Sequence, residues 1–205
     1  MAPVPMSKVF YGNSGSDAND TQAKLVWYYN NVLGRPEKKK IIARRRGYHG
    51  VTVLSGGLTG LKNLHDGFDL PLPMIRHVRP PHRLWEREPG QTDDEFATAL
   101  AVELERFIVN EGPHTVAAMI AEPVMAAGGV IVPPDTYFPK IQEVLDRYDV
   151  LLIADEVVNG FGRLGVDFGS TAVNMKPDLM TVAKGITSAY VPLSAVLVSD
   201  KVWQV

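Results

Sequence analysis

The chain has 205 residues, 45% of them hydrophobic and 21% charged, with a net charge of −2 and no cysteine. That length buries one sizeable core, with room for two small domains but no need of them. The balanced charge leaves no electrostatic footprint for nucleic acid, and the missing thiols exclude disulfides, thiolate metal sites and cysteine nucleophiles.

Met1-Ala2-Pro3-Val4-Pro5 lacks the cationic start and apolar run of a secretion signal. No apolar stretch approaches the ~20 residues of a membrane-spanning helix. The expected setting is therefore cytoplasmic, with neither membrane nor nucleic acid as partner. An apolar run over residues 8–11 predicts a first strand, ended by Gly12-Asn13-Ser14-Gly15. A helix is predicted over 17–33, stopped at Gly34-Arg35-Pro36. Residues 41–45 and 74–78 read as the next strands, and the Gly-rich stretch 55–60 between them suits a loop and short helix. The basic runs Lys38-Lys39-Lys40 and Arg44-Arg45-Arg46 around Ile41-Ile42-Ala43 read as a solvated strand end. Thr92, with Glu95 three residues on, forms a capping box that opens a helix through Val109. Continuous apolar runs at 116–121, 150–154, 179–182 and 194–198 fit strands buried on both faces. Between the first two of these, residues 137–148 carry Ile141, Val144 and Leu145 at helical spacing. Strand, helix, strand repeated in this way predicts an α/β doubly wound sheet.

The most informative residue is Lys184, which follows the strand at 179–182 as Asp155 follows the strand at 150–154. The carboxyl ends of parallel strands are where ligands bind. An amine that attacks carbonyls and a carboxylate that can hold a protonated ring nitrogen are what pyridoxal phosphate (PLP) needs from a protein. Taken alone, a lysine after a strand is more often simply solvated. Other segments add to it. Asn13-Ser14-Gly15-Ser16-Asp17-Ala18 leads from strand to helix, where small residues let the backbone approach an anion and free amides point at it. Asp17 would repel a phosphate, so it is expected to point away. Tyr48-His49-Gly50 puts a tyrosine able to stack on a planar ring at the same edge, and Glu122 ends another buried strand there. Gly160-Phe161-Gly162-Arg163-Leu164-Gly165 satisfies the Gly-x-Gly-x-x-Gly pattern. It does not follow its strand directly, and Asp155 and Glu156 would oppose a pyrophosphate, so a dinucleotide site and a nicotinamide dehydrogenase are rejected. The histidines lack ligand spacing, and no metal is implied.

Asn13 to Ala18, Tyr48-His49-Gly50, Glu122-Pro123-Val124, Ile153-Ala154-Asp155-Glu156-Val157 with Gly160-Phe161-Gly162-Arg163, and Ala183-Lys184-Gly185 stand in the order and rough spacing of class III PLP-dependent aminotransferases. The chain most resembles their ω-transaminase branch, the amine–, putrescine– and GABA–pyruvate enzymes. Phe68-Asp69-Leu70-Pro71-Leu72-Pro73, the stretch from Glu122 to Ile131, and Gly90-Gln91-Thr92 support that branch, and the resemblance runs from Ala2 to Val205. It implies a fold type I large domain: three layers, α/β/α, around a mostly parallel seven-stranded sheet whose last strand is antiparallel.

The resemblance also implies roles. Lys184 would form a Schiff base with PLP and then shuttle the substrate proton, and Asp155 would pair with the pyridine nitrogen. The amides of Gly15 and Ser16 would bind the phosphate. Tyr48 would stack on one ring face and Val157 pack on the other, while Glu122 would help hold Asp155 and the cofactor hydroxyl region. Lys184 is expected to be partly desolvated so that its neutral amine is available. The implied partners are a small-molecule amine or ω-amino acid donor, a keto-acid acceptor such as pyruvate and, in the full-length form, a second copy of the chain. Asn159 and Leu164 stand where the family more often has Thr or Cys, and Thr. Family members are much longer, so residues 1–205 are expected to be the PLP-binding large domain without the N-terminal segment and C-terminal small domain. Such a piece would have little activity alone and would expose large apolar patches. The competing readings are a non-catalytic truncated product or assembly piece, and a PLP-dependent aminomutase, racemase or decarboxylase on the same scaffold.

Overall fold

The computed structural model describes residues 2–205. Among them seven strands form one sheet: β1 (Met6–Gly12), β2 (Lys40–Arg44), β3 (Ile75–Val78), β4 (Val116–Ala121), β5 (Leu151–Asp155), β6 (Leu179–Val182) and β7 (Ser194–Ser199). Their spatial order is β1-β7-β6-β5-β4-β2-β3. Strands β2 to β6 pair in parallel, whereas β7 is antiparallel to both β6 and β1. The expected mostly parallel sheet with an antiparallel last strand is what the chain forms. Two successive reversals leave β1 parallel to β6, so β1 ends, and β7 begins, at the rim where the parallel strands end. That rim gathers residues that lie far apart in sequence.

The helices are α1 (Gly15–Val32), α2 (Val53–Leu58), α3 (Arg83–Glu86), α4 (Asp93–Glu111), α5 (Tyr137–Arg147), α6 (Gly169–Ala172) and α7 (Asp200–Trp203). The two longest, α1 and α4, each have a local reason to start where they do. Ser14 accepts the amide of Asp17 at 3.1 Å, so α1 begins at Gly15, earlier than apolar spacing alone indicates. At α4 the Thr92 hydroxyl accepts the Glu95 amide at 3.2 Å and the Glu95 carboxylate accepts the Thr92 amide at 2.8 Å, which satisfies two orphan donors reciprocally.

Alternation along β4, β5 and β6 sends side chains to two apolar cores. Ile120, Leu151, Ile153 and Leu179 pack with Ala18, Ala23 and Val26 of α1. Met119, Leu152, Ala154 and Met180 pack with Phe96, Leu100 and Ile108 of α4 and Phe138 and Ile141 of α5. The result is the expected α/β/α sandwich, closed to water on both sheet faces at its centre. The basic runs depart from the expected solvated strand end. Lys38 is buried with its ammonium 3.0 Å from the carbonyl of Tyr148. Arg44 is wholly buried, donates to the carbonyl of Glu122 and lies 5.8 Å over the ring of Phe138. Long stems let both residues lie along apolar surface while their charged ends find carbonyls.

Candidate active site

At the carboxyl rim a cavity of about 290 Å³ opens between the ends of β1, β4, β5 and β6. Gly15, Ser16, Tyr48, Glu122, Asp155, Val157 and Lys184 all line it. The seven residues to which the resemblance gives cofactor roles therefore line one space.

Asp155 ends β5 and is 3% exposed. Its Oδ2 accepts from Asn19 Nδ2 at 2.9 Å and from His49 Nδ1 at 2.8 Å, and its Oδ1 accepts from the amide of Val157 at 3.1 Å. A carboxylate with about four lone-pair sites thus keeps acceptor capacity on Oδ1. His49 was missed in the sequence because the Tyr48-His49-Gly50 segment was read for its tyrosine. Asn19 was missed as well, though a signal existed: Asn19 and Gln22 stand among Ala18, Ala23 and Val26 in the buried part of α1, and buried polar groups need partners.

Glu122, just past β4, accepts the amide of Tyr48 at 3.1 Å and that of Ala126 at 3.0 Å, which ties the exits of β2 and β4 together. Burial pushes its carboxyl above the ordinary carboxylate range, while the charges of His49 and Arg44 pull the other way. Glu156 has a separate task. It accepts from the amides of Gly169 at 3.0 Å and Ser170 at 2.6 Å and from the Ser170 hydroxyl at 2.5 Å, anchoring the start of α6. Burial pushes its carboxyl up too.

Gly15 packs tightly on Val157: a Cβ there would lie 3.0 Å from a Val157 methyl, which would have to shift by a few tenths of an ångström. Ser16 accepts the amide of Val51 at 3.1 Å through its hydroxyl. The amides of Gly15 and Ser16 belong to the first turn of α1, where no intrahelical acceptor exists. Asp17 folds back to accept the amide of Asn13 at 3.1 Å and does not line the cavity, as expected.

Lys184 sits in a 3-10 turn directly after β6 with a left-handed φ of 43°. That conformation costs about 1–3 kcal/mol in a residue with a Cβ and persists only where the surroundings impose it. Phe161 packs closely against the next residue, where a Cβ on Gly185 would lie 2.9 Å from its ring. The Gly-x-Gly-x-x-Gly segment runs through turns, and the next helix begins only at Gly169, so its Phe161 buttresses the lysine turn. One expectation is corrected: Lys184 is exposed, not partly desolvated. Its turn follows the end of the sheet, and Thr187, Ala189, Val191, Pro192 and Leu193, which also line the cavity, are half-buried or exposed themselves.

The sequence model of the family described as Aminotransferase class-III matches residues 1–205. The vanillin aminotransferase of Capsicum frutescens is 61% identical over 197 residues, covering 96% of this chain and 43% of the relative. The diaminobutyrate–2-oxoglutarate transaminase of Halomonas elongata is 62% identical over 208 residues, covering 100% of this chain and 44% of the relative. The crystal structure of the ω-transaminase from Pseudomonas jessenii in complex with PMP superposes with a TM-score of 0.98 at 56% identity, covering all of this chain and 45% of that one. The chain spans under half the length of the relatives it matches. With its whole length matched, the chain belongs to the class-III aminotransferase family.

Proposed function

We propose that residues 1–205 are the cofactor-binding large domain of a PLP-dependent transaminase, with Lys184 and Asp155 as its catalytic residues. The observation that carries this reading is the meeting of a lysine amine and a buried carboxylate in one cavity, at the ends of the adjacent strands β6 and β5.

The residues present suit the cofactor. Asp155 Oδ1 has room for one more donor, such as a ring N–H. Asp155 and Glu122 are buried carboxyls that line the same cavity, where a cationic ring N–H would find a fixed acceptor. Gly15 and Ser16 offer first-turn amides and the positive end of α1 to a phosphate.

PLP, when bound, supplies a carbon for amines to attack and a ring that takes up the electron pair left when a proton departs. The chain's own residues do the rest. Lys184 holds the cofactor and carries a proton at Nζ. Asp155 presents a fixed negative charge, oriented by Asn19, His49 and the Val157 amide. Tyr48 and Val157 present apolar surface that keeps water from a ring, and Glu122 anchors the backbone that carries Tyr48.

The amino group is proposed to pass from an amine or ω-amino acid to a keto acid such as pyruvate, in a cytoplasmic homodimer of the full-length protein. The 205-residue chain by itself is expected to turn over little. A PLP titration followed by absorbance tests the first step. The expected result is a saturable visible band that Lys184→Ala abolishes; a wild-type chain without that band would overturn the reading. In the full-length protein, pyruvate is expected to be aminated faster than 2-oxoglutarate, with alanine and glutamate as the measured products.

A further inference from the structure

One backbone carbonyl sets the direction of a buried hydrogen-bond chain behind Asp155. The carbonyl of His49 can only accept, so the Asn19 side-chain atom 2.7 Å from it is the donor Nδ2. The same nitrogen lies 2.9 Å from Asp155 Oδ2, so both of its hydrogens are committed. Asn19 Oδ1 then lies 2.6 Å from Thr181 Oγ1, which has to donate. With its one proton used, the Thr181 hydroxyl can only accept from Gln22 Nε2, which lies against it. The bonds from Gln22 through Thr181 and Asn19 all point toward the carboxylate.

The placement is built into the fold. Asn19 and Gln22 are three residues apart on the inner face of α1. Thr181 of β6 stands in register with Asp155 of β5. Asn19, Gln22 and Thr181 are 1%, 0% and 0% exposed, so bulk water cannot replace a missing partner. In a medium of low dielectric, bonds aligned head to tail polarise one another.

We propose that Thr181 and Asn19 are positioning residues for Asp155. The Thr181 hydroxyl locks the Asn19 amide with its donor end on Oδ2, which leaves Oδ1 as the oxygen with capacity for a ligand. The value of this to a cofactor rests on the transaminase reading; the lock itself does not.

Thr181→Val keeps the side-chain shape and deletes the donor, whereas Thr181→Ser keeps the donor and deletes a methyl. A packing role makes valine the better replacement, and a donor role makes serine the better one. In the 205-residue chain without PLP, hydrogen exchange of the Asn19 side-chain amide, read by NMR, is expected to be about tenfold faster in Thr181→Val and within about threefold of wild type in Thr181→Ser. PLP affinity from absorbance titration is expected to follow the same order, with about a tenfold loss in the valine variant. If valine fails to fold, Thr181→Ala gives the same reading. Exchange in Thr181→Val equal to wild type, or serine worse than valine, overturns the proposal. The exchange contrast in a chain that binds no PLP upholds the lock and sinks the cofactor reading instead.

Discussion

Asp155, Glu122 and Glu156 are all buried near one rim, yet each is held differently. Asp155 receives side-chain donors from two other elements, Glu122 receives backbone amides from the loops on either side of it, and Glu156 anchors α6. Burial raises the Glu122 and Glu156 carboxyls above the ordinary carboxylate value of 4.5. Above that value the unfolded chain has released these protons while the folded chain still holds them. Their contribution to stability is thus full below the ordinary value and is lost as pH rises through the raised folded values. Glu156→Gln sets an N–H against the amides of Gly169 and Ser170 and is expected to destabilise by about 1–3 kcal/mol near pH 5. The deficit should shrink toward about pH 8, because only wild type loses that carboxyl's contribution on the way. Urea midpoints at the two pH values check this, and a deficit that widens with pH contradicts it. At this scale Lys184 and Asp155 stood out only in company: alone a charged residue after a strand is ordinary, but here several motifs fall at the ends of neighbouring strands. Asn19 and His49 did not stand out, because sequence does not tell which polar side chain on a helix or loop is aimed at which strand end.

All seven strands were read from the sequence, four of them as continuous apolar runs, and two-sided burial explains that unbroken signal in β4 to β6. The antiparallel direction of β7 was not: it came from family resemblance, because a buried run reads the same in either direction. Helix starts were legible where a cap is written into the sequence. The capping box at Thr92 and Glu95 forms as spaced, while α1 starts at a serine that loop-like composition had concealed. Thr92→Ala removes the acceptor for the Glu95 amide and is expected to cost about 1 kcal/mol, with Thr92→Ser near wild type. A lowered urea midpoint with unchanged slope is the sign of this loss. An unchanged midpoint would mean that packing of α4 on the sheet, through Phe96 and Leu100, sets the helix start unaided.

On the scale of the whole molecule, the fold's main act is to return five distant stretches of chain to one rim. Residues 13–16 arrive after β1, Tyr48 after β2, Glu122 after β4, and Asp155 and Lys184 at the ends of β5 and β6. Strand neighbours in space follow from the pairing order, which hydrophobic periodicity does not contain. Several large apolar side chains are exposed one by one: Phe10 and Tyr11 on β1 at 53% and 66%, and Phe68, Leu84 and Trp85 at 70%, 86% and 68%. The account stands or falls on the amine at that rim. The most direct test is borohydride reduction of the chain with equimolar PLP, followed by peptide mass mapping. The cofactor's mass is expected on the peptide containing Lys184. Label on open lysines such as Lys62 or Lys176, with Lys184 unmodified, would contradict it.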